Sequence, residues 1–434
     1  MSPYHLLGST GRSYHMPGMS VTEHVFSVPL DHYDPGGRTI DVFARELVDP
    51  ARADRWLPWL LYLQGGPGGK APRPLRAGDG WLGRALETHR VLLLDQRGTG
   101  RSHPVTARSA AGFGSAGALA DYLACFRADS IVADAELIRR RLCGEQPWET
   151  LGQSFGGFIT LSYLSIAPEG LASCYITGGL PDPAGTADDV YALTYSRVRD
   201  KTHAFYDRYP QDRDVVRRIA DLLDRETVLL PDGDRLTSAR FRVLGLMLGM
   251  GDGAERLHWL LDEALGPDGL SDAFRYQVMQ LTGFVDNPLF AVLQESVYAQ
   301  GCAATAWSAH RAMQGLPDFS RDADPLLFTG EMFFPWMFRG TAALRPFAEA
   351  ADVLAERADW PPLYDLKRLA DNDIPVAAVV YHDDMYVPVE LSLRAAKSVG
   401  STRAWVTNEW EHDGVNASGD RVLSRLIDMA AGRV

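Results

Sequence analysis

A serine stands between glycines at a point where an apolar run breaks off and then resumes. The segment is Gly152-Gln153-Ser154-Phe155-Gly156, with the pattern G-x-S-x-G, and it follows a strand-like run and precedes a helix-like one. A sharp strand-to-helix turn holds the serine in a strained backbone conformation, so the residues two positions away must lack bulk. The pattern predicts a nucleophile for acyl transfer at Ser154, although the same five residues also fit an ordinary turn.

Two late loops offer the base and the acid that a serine nucleophile needs. The apolar run VAAVVY leads into Asp383 and Asp384, and RAWVT leads into His412. A histidine accepts the serine proton and returns it to the leaving group, while a carboxylate holds its tautomer. The chain order Ser154, Asp384, His412 is the order expected of loops that follow the strands of one sheet. Asp383 is the alternative acid, and we expect it to be a solvated or loop-bracing neighbour.

Two glycine-containing loops follow earlier strand-like runs. The segment QGGPGG, at 64–69, follows WLLYL, and backbone without side chains at a strand end can aim amides at a developing oxyanion. A plain turn is the alternative, whereas a phosphate loop is excluded because no GK[ST] follows at the required spacing. The next run leads into DQRGTGRS, where we expect Asp95 and Arg97 to pair and brace the loop beside the serine turn.

The composition is that of a globular protein rather than a disordered or membrane-spanning one. Hydrophobic residues make up 46% of the 434 residues and charged residues 23%. The formal net charge of −13 disfavours nucleic acid and anionic membrane as partners. The first 20 residues lack the basic start and apolar core of a secretory signal, and the four cysteines (Cys125, Cys143, Cys174 and Cys302) show no metal-ligand spacing. We therefore expect a cytoplasmic location, reduced cysteines and no metal site.

Six short apolar runs predict buried strands: 59–63, 90–94, 149–152, 174–177, 376–381 and 403–407. Helical patterns separate them, which indicates a mostly parallel sheet with helices on both faces. One such helix, SIVADAELIRRRL, has Asp129 or Ser130 as its candidate cap, and residues 24–30 and 38–48 predict an antiparallel hairpin at the sheet edge. From about 182 to 365 strand signals nearly vanish. We therefore predict a core of 1–181 and 366–434 interrupted by a helical cap domain of 182–365.

Several motifs taken together resemble one family. QGGPGG, LDQRGTGRS, FRADSIVADAELIRR, LGQSFGG, TGGLPDP, TGEMFFPWMF, VVYHDDMYVP and NEWEHDG are similar to those of the prolyl aminopeptidases, or proline iminopeptidases, and more closely to the longer bacterial subgroup with an enlarged helical cap. The resemblance runs from about residue 25 to the C-terminus. It implies the α/β-hydrolase fold and release of an N-terminal residue, preferably proline, from short peptides, with no metal or organic cofactor.

The resemblance also implies roles for individual residues. Ser154 matches the nucleophile, Asp384 the acid and His412 the base, and the match of DMYVP decides against Asp383. The oxyanion donors would be the backbone amides of Phe155 and of Gly65 or Gly66. Gln64 stands where many relatives carry a histidine before GGPG. We expect activity to survive this difference, because the oxyanion is bound by backbone amides and not by that side chain.

A free N-terminus is cationic, and burying it requires a paired charge. The family's cap glutamates match Glu295 in LQESVYAQG and Glu331 in FTGEMFFPW, and both stand in apolar, aromatic surroundings. The alternative for each is a salt bridge to a nearby arginine such as Arg311 or Arg339. A set of aromatic residues is a candidate pocket for the pyrrolidine ring, with ordinary core packing as the alternative: Phe155, Phe333, Phe334 and Trp336.

The sequence therefore predicts a serine aminopeptidase acting through an acyl-enzyme. An esterase or other acyl hydrolase is the alternative, because the fold does not fix the substrate. A catalytically silent binding protein is a third interpretation, which the complete triad argues against.

Overall fold

The computed structural model describes residues 9–78, 80–301 and 303–434, so Cys302 lies outside the described residues. Nine strands form one sheet in the spatial order β1-β2-β3-β5-β4-β6-β7-β12-β13. The bounds of the strands in the chain are β1 Ser9–Met16, β2 Met19–Pro29, β3 Thr39–Val48, β4 Trp59–Leu63, β5 Arg90–Leu94, β6 Trp148–Gln153, β7 Leu171–Thr177, β8 Val228–Leu229, β9 Arg235–Leu236, β10 Leu265–Gly266, β11 Gly269–Leu270, β12 Val376–Tyr381 and β13 Thr402–Thr407.

The six strands from β5 to β13 in this order pair in parallel, whereas β1, β2 and β3 are antiparallel. All six predicted strands are present, but β13 is not buried as expected: it is the last strand of the sheet, and all of its residues except Thr407 are partly or fully exposed. The predicted hairpin is the pair β2–β3, but it is not the sheet edge, because β1 adds a further strand outside it. The signal for β1 was the Pro17-Gly18 pair between two alternating segments, which marks a tight turn.

Helices cover both faces of the sheet, which confirms the predicted fold class. Their bounds are α1 Trp81–Leu86, α2 Ala107–Ala110, α3 Ala116–Ala124, α4 Ala128–Cys143, α5 Phe155–Ile166, α6 Ala187–Arg208, α7 Pro210–Arg225, α8 Ser238–Arg242, α9 Gly253–Asp262, α10 Asp272–Thr282, α11 Pro288–Leu293, α12 Ser308–Gln314, α13 Pro335–Gly340, α14 Ala348–Glu356, α15 Leu366–Ala370, α16 Val389–Ser398, α17 Gly414–Ala417 and α18 Arg421–Ala430.

Side chains of a single strand alternate between two apolar cores. In β4, Leu61 and Leu63 join the core shared with α4 and α5, while Leu60 and Tyr62 join the core formed with α1 and α18. Successive side chains of a strand point to opposite faces, so a strand that is apolar throughout must be covered on both sides. This explains why WLLYL shows no polar alternation.

The described residues between β7 and β12 form helices joined by loops, together with the two short hairpins β8–β9 and β10–β11. Its apolar residues, Phe241, Leu257 and Phe274 among them, continue the core that lies on the α4 and α5 side of the sheet. We call the segment 182–365 the cap. Its boundaries stay a prediction. Within the described ranges, no helix is both long enough and apolar enough to cross a membrane.

Two local expectations are wrong. Helix α4 begins one residue after Arg127, so Asp129 and Ser130 lie inside its first turn and neither caps it. Asp95 pairs with Arg73, at 2.6 Å, rather than with Arg97. Arg97 pairs instead with Asp134 of α4, also at 2.6 Å, and this pair is almost completely buried. A buried guanidinium needs several acceptors at once, and the helix supplies a carboxylate that the neighbouring loop residue does not.

Candidate active site

Ser154 occupies the turn between β6 and α5 with a strained backbone. Its φ is 55° and its ψ is −123°, a region that residues other than glycine seldom adopt. The turn is fixed on both sides, because the Ser154 amide donates to the Thr177 carbonyl at 3.0 Å and the Ser154 carbonyl accepts from the Gly157 amide at 2.8 Å. The hydroxyl is therefore held at the carboxyl end of the central strands.

The glycines around the serine are required by close backbone approach. A Cβ atom on Gly152 would lie 2.4 Å from the Gly156 carbonyl oxygen, and one on Gly156 would lie 2.0 Å from the Leu63 carbonyl oxygen. Contacts this short with backbone atoms leave no room for any side chain. The helix that follows Ser154 can pack against β4 only because these positions are bare.

His412 and Asp384 lie in direct contact. The Nδ1 atom of His412 is 2.7 Å from Oδ2 of Asp384, and both side chains are buried. The second carboxylate oxygen, Oδ1, accepts the backbone amides of Tyr386 at 2.8 Å and Val387 at 3.1 Å. An ionised carboxylate only accepts, so Nδ1–H of His412 is the donor, and in the neutral ring Nε2 is free to accept a proton.

Asp383 lies elsewhere. Its Oδ1 is 2.8 Å from Nδ1 of His382, and about half of each side chain is exposed. The structure therefore brings Asp384, and not its neighbour, to the histidine. In the sequence, the position within DMYVP was the feature that distinguished the two carboxylates.

The electrostatic surroundings of His412 favour its charged form. Burial by itself would lower its pKa, but the charge and hydrogen bond of Asp384, followed by the charges of Glu331 and Asp413, raise the pKa above its ordinary value. An imidazolium formed during proton transfer is thus stabilised where it stands.

Unpaired amides surround the serine. The backbone of Gly65 is close to Ser154, since a Cβ atom on Gly65 would lie 2.7 Å from the serine Cβ. Gly66 has a φ of 126°, which glycine alone adopts readily. Among the described residues, none accepts a hydrogen bond from the backbone amides of Phe155, Gly65 or Gly66. Free N–H groups at a helix start and a strand end are suited to binding an oxyanion.

Glu295 lies buried in the cap and is held by backbone. Its two carboxylate oxygens each accept an amide at 2.9 Å, from Ser308 and Ala309 at the start of α12. Burial raises its pKa, while these amides and the Thr305 hydroxyl act in the opposite direction. The alternative of an ion pair does not apply, because Arg311 pairs with Asp188 at 2.6 Å.

Glu331 is the less satisfied carboxylate. Its side chain is partly exposed, although protein surrounds it on most sides. Burial raises the pKa of this carboxyl to about 8. The charge of His412 and a hydrogen bond from Gln294 act to lower that pKa, whereas the charge of Asp384 raises it further. Arg339 is not its partner, since it pairs with Asp352 at 2.7 Å. Glu331 thus lies within electrostatic reach of the histidine and acid of the core.

Comparison with known proteins identifies the family. The family model for the alpha/beta hydrolase fold matches residues 58–266. The chain is 48% identical over 416 residues to a protein named proline iminopeptidase from Aeromonas sobria, covering 95% of this chain and 97% of the relative. The chain belongs to the proline iminopeptidase family. It is also 35% identical to proline iminopeptidase aneH of Aspergillus aculeatus, over 97% of this chain and 96% of that one.

A solved alpha/beta fold family hydrolase from Bacillus anthracis is a further structural neighbour, with 12% identity and a TM-score of 0.42. The structural match covers 94% of this chain and 99% of the Bacillus anthracis chain. Among the described residues of this proline iminopeptidase family member, no group of three or more histidine, cysteine or acidic side chains is arranged to hold a metal ion.

The predicted proline-pocket aromatics have contacts of their own. Phe333 packs edge-on against Phe290, with ring centroids 5.1 Å apart, and Phe334 stacks with Trp336 at 5.9 Å. Phe333 and Phe334 are almost fully buried. Phe155 has its ring 6.0 Å from that of Phe158. Their role as a pocket stays a prediction.

Sequence reasoning missed three tyrosines around the carboxylates. Burial raises the pKa of each tyrosine, and the charges of nearby carboxylates raise it further. For Tyr191 these are Glu295 and Glu331, and for Tyr298 they are the same two glutamates and Asp384. For Tyr386 they are Glu331 and Asp384. The Tyr191 hydroxyl is buried without a partner in the described part of the chain. Only Tyr386 carried a signal in the sequence, since it lies two residues after the predicted acid.

Proposed function

We propose that the protein is a serine aminopeptidase that releases N-terminal proline, and other small N-terminal residues, from short peptides through an acyl-enzyme. The observation that carries this proposal is the contact of His412 with Asp384 at the same end of the sheet as Ser154, with a carboxylate of the cap, Glu331, within electrostatic reach of both. The 48% identity to a named proline iminopeptidase over nearly the whole chain supports it independently.

In the proposed reaction Ser154 attacks the carbonyl carbon of the first residue. His412 takes the hydroxyl proton at Nε2 while Asp384 holds the imidazolium, and the oxyanion that forms accepts the amides of Phe155 and of Gly65 or Gly66. The tetrahedral intermediate then expels the amine of the shortened peptide, which takes the proton from His412. A prolyl ester on Ser154 remains.

Water hydrolyses that ester by the same route. His412 removes a proton from the water, the hydroxide adds to the ester carbonyl, and collapse of the intermediate returns the proton to Ser154. Free proline leaves, and no metal or organic cofactor takes part in these steps.

Recognition of the substrate amine is assigned to the two cap glutamates. A protonated prolyl nitrogen carries two N–H groups and one positive charge, so it needs acceptors and a counter-charge when it leaves water. Glu331 is the better counter-charge, because no described arginine or lysine pairs with it, and a bound cation lowers its raised pKa so that the carboxyl ionises when the substrate amine arrives. Glu295 already accepts two amides, which fix its carboxylate in place and leave further lone pairs for the substrate.

The alternative is an esterase or other acyl hydrolase, which would use the same serine, histidine and acid. It gives no reason to place a carboxylate without a cationic partner at Glu331, because an ester substrate brings no cation to offset the cost of desolvating that carboxylate. The third interpretation, a non-catalytic binding protein of the hydrolase fold, does not explain the strained backbone of Ser154 or the contact between His412 and Asp384.

Labelling with a fluorophosphonate probe tests the nucleophile. We expect stoichiometric labelling of the wild-type protein on Ser154 and none of Ser154→Ala. A matched control is Ser162→Ala, a buried serine within α5. Absence of labelling in the folded wild-type protein, or labelling that persists in Ser154→Ala, contradicts the assignment.

The proposal also covers the partners of the protein and its location in the cell. Short peptides with a free N-terminus are the proposed partners, and neither nucleic acid nor membrane is expected, in keeping with the net charge of −13. A cytoplasmic location is proposed as well. It is supported by three cysteines that remain free thiols in the structure, Cys125, Cys143 and Cys174.

A further inference from the structure

One segment of the cap makes contact with the loop that carries the acid. This segment, 246–249, ends the 3-10 helix Val243–Gly249. The Tyr386 hydroxyl donates a hydrogen bond to the Leu246 carbonyl. The Gly249 carbonyl accepts the backbone amide of His412 at 3.2 Å. A Cβ atom on Gly249 would lie 2.3 Å from the Tyr386 ring, so the bare backbone of the cap fits directly against the tyrosine.

The same tyrosine contacts the base and the acid. Its ring stands edge-on to the His412 imidazole, with centroids 4.7 Å apart and planes at 75°. Its backbone amide donates to Oδ1 of Asp384 at 2.8 Å. Tyr386 is 3% exposed. One buried side chain therefore joins the cap to the imidazole ring whose orientation proton transfer requires.

We propose that Tyr386 is a positioning residue that holds the His412 ring in its catalytic orientation only while cap segment 246–249 is docked. The inference rests on the proposed function and deepens it. In that function the cap binds the substrate amine and the core binds the scissile carbonyl. The cap must therefore be correctly placed against the core when His412 takes the serine proton. Small errors in the placement of a base are costly to the rate.

Tyr386→Phe tests the hydroxyl link while retaining the ring. We expect kcat on a prolyl arylamide to fall about tenfold with KM changed by less than about twofold, because the ground-state contacts of the substrate are untouched. The matched control is Tyr206→Phe. That hydroxyl is also buried and donates to a cap carbonyl, Leu326, at 2.7 Å, but its ring packs against Phe205 and Phe328 rather than against His412. Its kcat should stay within about twofold of wild type.

Gly249→Ala approaches the same link from the cap side. The added Cβ must displace the tyrosine ring, so this variant should show the same loss of kcat at near-constant KM. A kcat of Tyr386→Phe within about twofold of wild type overturns the proposal, as does a parallel loss in Tyr206→Phe at equal loss of thermal stability.

The rate of fluorophosphonate labelling of Ser154 separates this proposal from the function on which it rests. Labelling depends on the alignment of His412 but needs no substrate amine. Slower labelling of Tyr386→Phe than of Tyr206→Phe supports the positioning role even if the wild-type protein cleaves no prolyl substrate. Equal labelling rates contradict the role even if the wild-type protein is a prolyl aminopeptidase.

Discussion

The Nδ1 atom of His412 lies 2.7 Å from Oδ2 of Asp384, and the two residues follow neighbouring parallel strands of the sheet. Strand β12 ends at Tyr381 and β13 ends at Thr407, and these two residues are directly paired. The carboxyl ends of parallel strands meet at one edge of a sheet, and that is where such folds assemble their sites. The contact between base and acid thus follows from strand register as well as from loop sequence.

Replacement of the acid should abolish most of the rate. In Asp384→Asn the amide cannot hold the correct histidine tautomer, so we expect kcat to fall about 10⁴-fold with little change in KM. Steady-state kinetics on a prolyl arylamide measures this. The matched control is Asp383→Asn, which should remain near wild type because that side chain is half exposed and its carboxylate bonds to His382 rather than to His412. A larger loss in the control would reverse the assignment.

Replacement of Glu331 should affect substrates according to their charge. In Glu331→Gln the counter-charge for the substrate amine is lost, and we expect kcat/KM on a prolyl arylamide to fall by about 10²-fold or more. Hydrolysis of a small neutral ester should change little, because that substrate carries no cation. Both substrates are compared on the same protein preparation. An equal loss on both would mean that Glu331 supports the triad rather than the amine.

Replacement of Glu295 should act on stability as well as on binding. In Glu295→Ala the buried amides of Ser308 and Ala309 lose their acceptors, and each unmet buried group costs about 1–3 kcal/mol. We expect a lower unfolding temperature than in Glu331→Ala, measured by calorimetry or fluorescence. Equal unfolding temperatures for the two variants would contradict the structural role of Glu295.

The pKa of Glu331 predicts a pH-dependent stability. Burial raises this pKa from 4.5 to about 8, so between these values the folded chain holds a proton that the unfolded chain has released. The stability contributed by the neutral carboxyl is complete below pH 4.5 and is lost as the pH rises through 8. Glu331→Gln is free of this loss. Its unfolding temperature should match wild type near pH 5 and exceed it by about 5 °C near pH 8; no gain at the higher pH would show that Glu331 ionises freely.

The strands and the serine turn could be predicted because their signals are local. A continuous apolar run such as VAAVVY is typical of a strand covered on both faces, and β12 is buried along its whole length. The glycines two residues on either side of Ser154 are informative because the backbone packs so closely at this turn that a side chain at either position would clash. These features depend on a few adjacent residues, and the sequence shows all of them.

Partners that are distant in the chain could not be predicted in this way. Arg97 was expected to pair within its own loop, yet its carboxylate is Asp134, 37 residues later on α4. Glu295 was expected to face either a substrate or an arginine, and its partners are amides at the start of α12. Each pairing depends on how helices pack, which residue spacing does not encode. The cap tyrosine Tyr191 went unnoticed for the same reason.

The measurement that tests the account most directly compares a prolyl arylamide with its N-acetylated form on the wild-type protein. Acetylation removes the cation and leaves the scissile bond unchanged, so only recognition of a free N-terminus distinguishes the two substrates. We expect rapid turnover of the free-amine substrate, loss of that turnover in Ser154→Ala, and a kcat/KM at least about 10³-fold lower for the acetylated form. Comparable turnover of both forms would contradict an aminopeptidase and leave a general acyl hydrolase.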